Sequence, residues 1–137
     1  MTRIIRKLSG IENDDDGNVV ITSGINYSVD ATVTPPALTA NTDDLLIDGL
    51  TTAVLLRLSS AGNYDLTGII PPNLLASQEL KIFNVGSNNI VIRNDSNRSD
   101  PENRFFLGGN RTIQTNEGVS VIYDPVSQRW RGTGIII

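Results

Sequence analysis

Fifteen carboxylates, eleven cationic side chains and no histidine or cysteine set the chemistry open to this chain. Without cysteine there is no thiolate nucleophile, disulfide, iron–sulfur cluster or cysteine-ligated zinc. Without histidine there is no Ser-His-Asp triad and no imidazole acid or base. Carboxylate chemistry is what remains. Asp43, Asp44, Asp48 and Asp65 could supply the two acids that glycoside hydrolysis places about 5–10 Å apart. They fall at expected strand ends, where turns favour Asp for backbone reasons alone, and no interleaved Trp or Tyr offers a sugar platform. Asp14-x-Asp16-x-Asn18 opens like a calcium loop, but Val19 stands where that loop needs glycine and Ile25 where it needs a bidentate glutamate. Asp95, Asp100 and Glu102 form a looser set of oxygens that reads as solvated turns, and Gly108-Gly109-Asn110 lacks phosphate-loop spacing. The residues therefore predict no enzyme, no cofactor and no metal site.

The elements that position these side chains are strands. Short β-prone runs are punctuated by Gly, Pro, Asn, Asp and Ser, the pattern of an all-β fold, and 137 residues suit one domain. Strands are expected over residues 44–48, 53–59, 80–85, 89–94, 104–107, 111–115 and 118–124, with a last one around Trp130. Period-two alternation assigns a core of Val54, Leu56, Leu58, Ile82, Ile90, Ile92, Phe105, Ile113, Val119, Val121, Tyr123 and Trp130. Trp130 lies between Arg129 and Arg131, so the indole points inward while its neighbours meet water. Gly86-Ser87-Asn88 reads as a hairpin turn, with Gly86 and Asn88 able to take positive φ, and Asn116-Glu117-Gly118 is a further turn signal. One turn of helix is expected over residues 73–79, after Pro71-Pro72 and capped by Asn73. Together these predict an antiparallel β-sandwich, jelly-roll-like, with an immunoglobulin-like strand order equally compatible.

Charge is uneven along the chain. Residues 1–7 carry three cations and no acid, residues 8–80 ten acids against Arg57, and residues 81–137 five acids against seven cations. The total of −4 argues against nucleic acid as the partner. No run reaches 18 apolar residues, so no membrane-spanning helix is expected. The start lacks the apolar run of a secretory signal, which predicts assembly in the cytoplasm.

Residues 1–37 lack the apolar density for a core of their own and read as an extended N-terminal arm ahead of a sandwich over 38–137, a separate hairpin being the alternative. Arg3, Arg6, Lys7, Val19, Ile21, Tyr27, Val29 and Val33 are the candidate contacts of that arm with a neighbour. At the other end Ile135, Ile136 and Ile137 would form an adhesive edge if exposed. They either extend the home sheet or complete a sheet in another subunit.

From residue 38 onward the linked series Asn84-Val85-Gly86-Ser87, Asn103-Arg104-Phe105, Tyr123-Asp124 and Arg129-Trp130-Arg131 resembles a β-sandwich module recurrent in virion proteins of tailed bacteriophages, both small head proteins and tail or fibre components. The resemblance spans residues 38–132 and implies a structural part of the virion rather than an enzyme. With no fibre-like repeats in the sequence, the expectation is a capsid decoration or cement protein that binds across capsomer junctions. Its partners would be the major capsid protein or other virion proteins, and its own copies in a homotrimer. The alternative is a tail, baseplate or fibre component, with a receptor- or glycan-binding role.

Overall fold

The computed structural model describes residues 6–8, 11–13, 19–21, 32–51 and 55–136 of the chain. Near the start, β1 (Arg6–Leu8), β2 (Ile11–Asn13) and β3 (Val19–Ile21) pair as an antiparallel meander. Strand β4 (Thr32–Val33) already belongs to the edge of the main sheet.

The body has two sheets. The larger holds β4, β5 (Leu55–Leu58), β7 (Glu79–Asn84), β11 (Gly118–Asp124), β12 (Arg129–Ile136) and β9 (Phe105–Phe106), in the order β4-β5-β7-β11-β12-β9. The smaller holds β10 (Arg111–Ile113), β8 (Ile90–Ile92) and β6 (Tyr64–Leu66), in that order. From β5 to β8 the chain alternates between sheets: β5 and β7 lie in the larger, β6 and β8 in the smaller. The stretch from Leu38 to Leu45 runs beside residues 60–69 through parallel bridges at Leu38–Ser60, Thr42–Leu66 and Leu45–Ile69. The chain therefore winds in circuits, and each circuit stacks on the one before.

The β-sandwich is as expected, but the winding makes its pairing mixed rather than antiparallel throughout. Neighbouring strands separated by a full circuit run the same way, so β4–β5, β5–β7 and β6–β8 are parallel, and β9 joins β12 in parallel too. Between named strands of the body, antiparallel pairing is found at β7–β11, β11–β12 and β8–β10, with one isolated antiparallel bridge at Gly68–Arg104. The hairpin expected around Gly86-Ser87-Asn88 is overturned for the same reason. Gly86-Ser87-Asn88 and Asn116-Glu117-Gly118 are corners that carry the chain from one sheet to the other. Gly86 and Asn88 keep ordinary negative φ. Glycine at 86 serves closeness instead, since a Cβ there would stand 3.0 Å from Ser59 Cβ of the preceding circuit, which would have to give way. Among the central turns it is Asn116 that takes the left-handed conformation, at φ 68°.

The helix expected over 73–79 does not form. Leu74 and Leu75 are exposed, so a short helix there would have no face to bury, and Asn73 Oδ1 instead accepts from the Leu75 amide in a local turn. The one helical element among the described residues is a 3-10 turn at Pro101–Asn103.

Between the sheets, Leu56, Leu58, Ile82, Ile90, Ile92, Phe105, Ile113, Val119, Val121, Tyr123 and Trp130 are buried together, joined by Leu38, Ile47, Leu50, Leu66, Ile69 and Leu80. Val54 lies outside the described residues. The register lines core positions into rows: Val33 opposite Leu56, Leu56 opposite Ile82, Ile82 opposite Val119. Corner asparagines tie circuit to circuit. Asn41 Oδ1 accepts from the Asp65 amide and Asn63 Oδ1 from the Asn89 amide. Asn84, fully buried, donates to the carbonyls of Asn88 and Ile113 and accepts from the Gly86 amide.

Candidate functional site

Of the acids at the strand ends, Asp43, Asp44 and Asp65 are committed to partners, while Asp48 is exposed at the rim of a hollow. Asp65 is held by Arg93 at 3.0 Å and Arg98 at 3.2 Å, and Arg98 also reaches Asp43 at 3.2 Å. Burial alone would raise the Asp65 pKa, but the two guanidinium partners outweigh it and the carboxyl sits below its ordinary value. Asp43 accepts from the buried hydroxyl of Thr67 at 2.6 Å, and Thr67 meets Ser99 at 2.7 Å. Asp44 accepts from the Asp100 amide and the Asn103 carboxamide. Asp43 and Asp65 are therefore clamped by one arginine, and this cluster fastens the 41–44, 65–68 and 98–103 segments together. The lowered pKa of Asp65 is the opposite of what a general acid requires.

A second charged group lies where β9 meets β12. Arg104 and Arg129 approach Asp95 at 3.6 and 3.3 Å, and Arg131 binds Asp124 at 2.7 Å. Both Arg129 and Arg131 also lie over the Phe106 ring, 4.9 and 5.3 Å from its centroid. Asp124 is pulled down to about 2 by the Arg131 hydrogen bond first, then by Ser127 and the Val126 amide. No group of three or more His, Cys, Asp or Glu side chains able to hold a metal ion occurs among the described residues.

Contact surfaces are better developed than reaction centres. Loops 46–51 and 70–78 meet at one end of the body, with two hollows of about 380 Å³ each that share Thr51 and Pro72. Leu46 is 72% and Leu75 86% exposed on the same loops. A second surface is the strand edge of β12. β11 pairs along one side as far as Ile136, but β9 covers the other side only at Trp130 and Arg131. Residues 132–136 have no strand partner on that side among the described residues, and a gap of about 180 Å³ opens there between Leu107, Arg111, Val119, Gly132 and Gly134.

Of the sequence-derived contact residues, Val33 packs partly buried against the home core through the β4–β5 pairing. Ile135 and Ile136 pair by backbone with Val119 and Gly118 of the same chain, which is the home-sheet option. The backbones of Arg6, Lys7, Val19 and Ile21 lie in the N-terminal meander. Arg3, Tyr27, Val29 and Ile137 fall outside the described residues. The sequence reading missed Leu46, Leu74 and Leu75, because exposed leucines in a β-rich chain carry the same letter as core leucines.

Residues 37–131, well over half of the chain, match the family of the phage depolymerase C-terminal beta sandwich domain. The chain belongs to that family. No curated protein and no solved structure matches it. Membership accounts for the phage β-sandwich resemblance carried by residues 38–132 and for the all-β architecture. It also corrects the functional emphasis. A depolymerase-associated sandwich is a tail-associated module of the virion, so capsid decoration finds no support and the tail or fibre alternative fits better. The family is the C-terminal sandwich of depolymerases, not their catalytic part.

Proposed function

We propose that this sandwich is a structural component of a bacteriophage tail fibre or spike, a non-catalytic module that holds the assembly to its neighbours. The match over residues 37–131 carries the reading. Two features support it. Asp43 and Asp65, acids that could have done chemistry, are spent on Arg93 and Arg98. The apolar loop end around Leu46 and Leu75 and the uncovered edge of β12 are surfaces of the kind that subunit contacts bury. The partners are other virion proteins, copies of this chain included, and the location is the virion. Disrupting purified particles and separating heads from tails on a gradient tests this by immunoblot. The protein follows the tail fraction; recovery with the heads overturns the proposal.

A further inference from the structure

The side of β12 that β9 leaves uncovered is kept open by the chain itself. Leu107 still lies beside Gly132, where a Cβ would stand 3.0 Å from its Cδ2. Gly108 and Gly109 then take φ 74° and 148° and lead the chain away to β10 in the smaller sheet. Past that point Gly132, Thr133 and Gly134 are exposed, and a Cβ at 134 would meet nothing within 4 Å. The register with β11 skips Thr133, whose hydroxyl donates to Ser120 Oγ. Residues 134–136 are therefore a regular run with one backbone side unpaired among the described residues.

Arg111 stands at the start of this run. Its guanidinium donates to the Leu107 carbonyl at 3.1 Å and lines the gap beside Gly132 and Gly134. It has no carboxylate partner within ion-pair distance among the described residues, whereas Arg93, Arg98, Arg104, Arg129 and Arg131 each have one. The leader carries the complement. Strand β3 is an outer strand of the N-terminal meander, with no strand partner on its far side among the described residues. Its Val19-Val20-Ile21 equals the free run in length and follows Asp14-Asp15-Asp16 in the sequence. The other outer strand, β1, carries Arg6 and Lys7, the same sign as Arg111.

We propose that the open side of β12 takes β3 of a second copy of this chain as an added strand, in parallel, with Val19 beside Gly134 and Ile21 beside Ile136. Parallel alignment sets the acids that precede Val19 toward Gly132, where Arg111 lacks a carboxylate; an antiparallel strand would carry them past Ile136. Opposite charge selects β3 over β1. The leader runs into β4 at one edge of the larger sheet, and β12 opens toward the other edge. Donor and acceptor therefore differ, and the contact passes head to tail from one copy to the next. The inference rests on the structural role above and names the partner at this edge. Fractionated particles report where the protein sits and purified chains report how copies join, so the two readings fail separately.

The test is oxidative cross-linking of the full chain, which has no cysteine of its own. Val19→Cys chains mixed with Gly134→Cys chains form a disulfide-linked dimer, and Val19→Cys chains mixed with Ile136→Cys chains, the antiparallel register, do not. Arg111→Glu in the acceptor slows the cross-link at least about tenfold. Asp14→Asn, Asp15→Asn and Asp16→Asn together in the donor slow it as well, with the sandwich untouched. Asp14→Lys, Asp15→Lys and Asp16→Lys together restore it against Arg111→Glu. No dimer from the parallel mixture, equal yield from the antiparallel one, or a rate indifferent to both charge changes would each overturn the proposal. So would closure of the disulfide within single chains that carry both Val19→Cys and Gly134→Cys.

Discussion

Trp130 shows how a single residue type decides its own surroundings. Its indole is fully buried, its Nε1 donates to the Ile69 carbonyl at 2.8 Å, and its ring meets Tyr123 edge-on at 5.0 Å between centroids. Tyr123 in turn donates its hydroxyl to the Glu102 carbonyl, so both amphipathic rings reach polar partners from inside the core. Trp130→Ala removes the ring and leaves the Ile69 carbonyl unpaired, and a loss of about 3–5 kcal/mol in urea melts is expected. The inward ring was readable from Arg129-Trp130-Arg131 alone; its partner Ile69, 61 residues earlier in the chain, was not. Asp124 gives the residue-scale pH dependence. Its folded pKa of about 2 lies below the unperturbed value of about 3.9, so the unfolded chain binds the proton more readily. The stabilisation is complete above about pH 4 and is lost as pH falls toward 2, with Asp65 contributing in the same direction. Asp124→Asn therefore flattens the fall of the urea midpoint between pH 4 and 2; an unchanged slope would contradict the Arg131 pairing.

Between elements, alternation of side chains was legible while the order of pairing was not. Leu56 and Leu58 against Leu55 and Arg57, or Ile82 against Lys81 and Phe83, fix which face of a strand is inward whatever lies beside it. The same residues do not say whether a corner such as Gly86-Ser87-Asn88 returns along its own sheet or crosses to the other. Here the buried Asn84 decides, bonding both its own corner and the Ile113 carbonyl in the smaller sheet. A lone asparagine in a strand carries no signal of that role. The isoleucines at 135–137 suit either of two sheets by sequence, and the backbone of Ile135 and Ile136 pairs with Val119 and Gly118 at home. Deleting residues 135–137 removes ladder bonds at the end of β12 and lowers monomer stability in a thermal melt. An unchanged melt joined to a loss of assembly would instead assign them to a neighbour.

For the whole molecule, composition led to an all-β structural module and the linked motifs to a phage virion, and family membership over residues 37–131 moves the emphasis from shell to tail. The mixed, circuit-wound sheets escaped the sequence because parallel neighbours are about 25 residues apart, beyond the reach of any local turn rule. The acid cluster was visible as letters, but its pairing with Arg93 and Arg98, which turns candidate catalysts into fasteners, comes only from the fold. The central claim is that the chain is a working part of the tail, and its position in the intact particle tests that most directly. In a reconstruction of the virion, density for the six-stranded sheet is expected at the tail, in a few copies. Hundreds of copies spread over the shell, or none in the particle, would contradict the account.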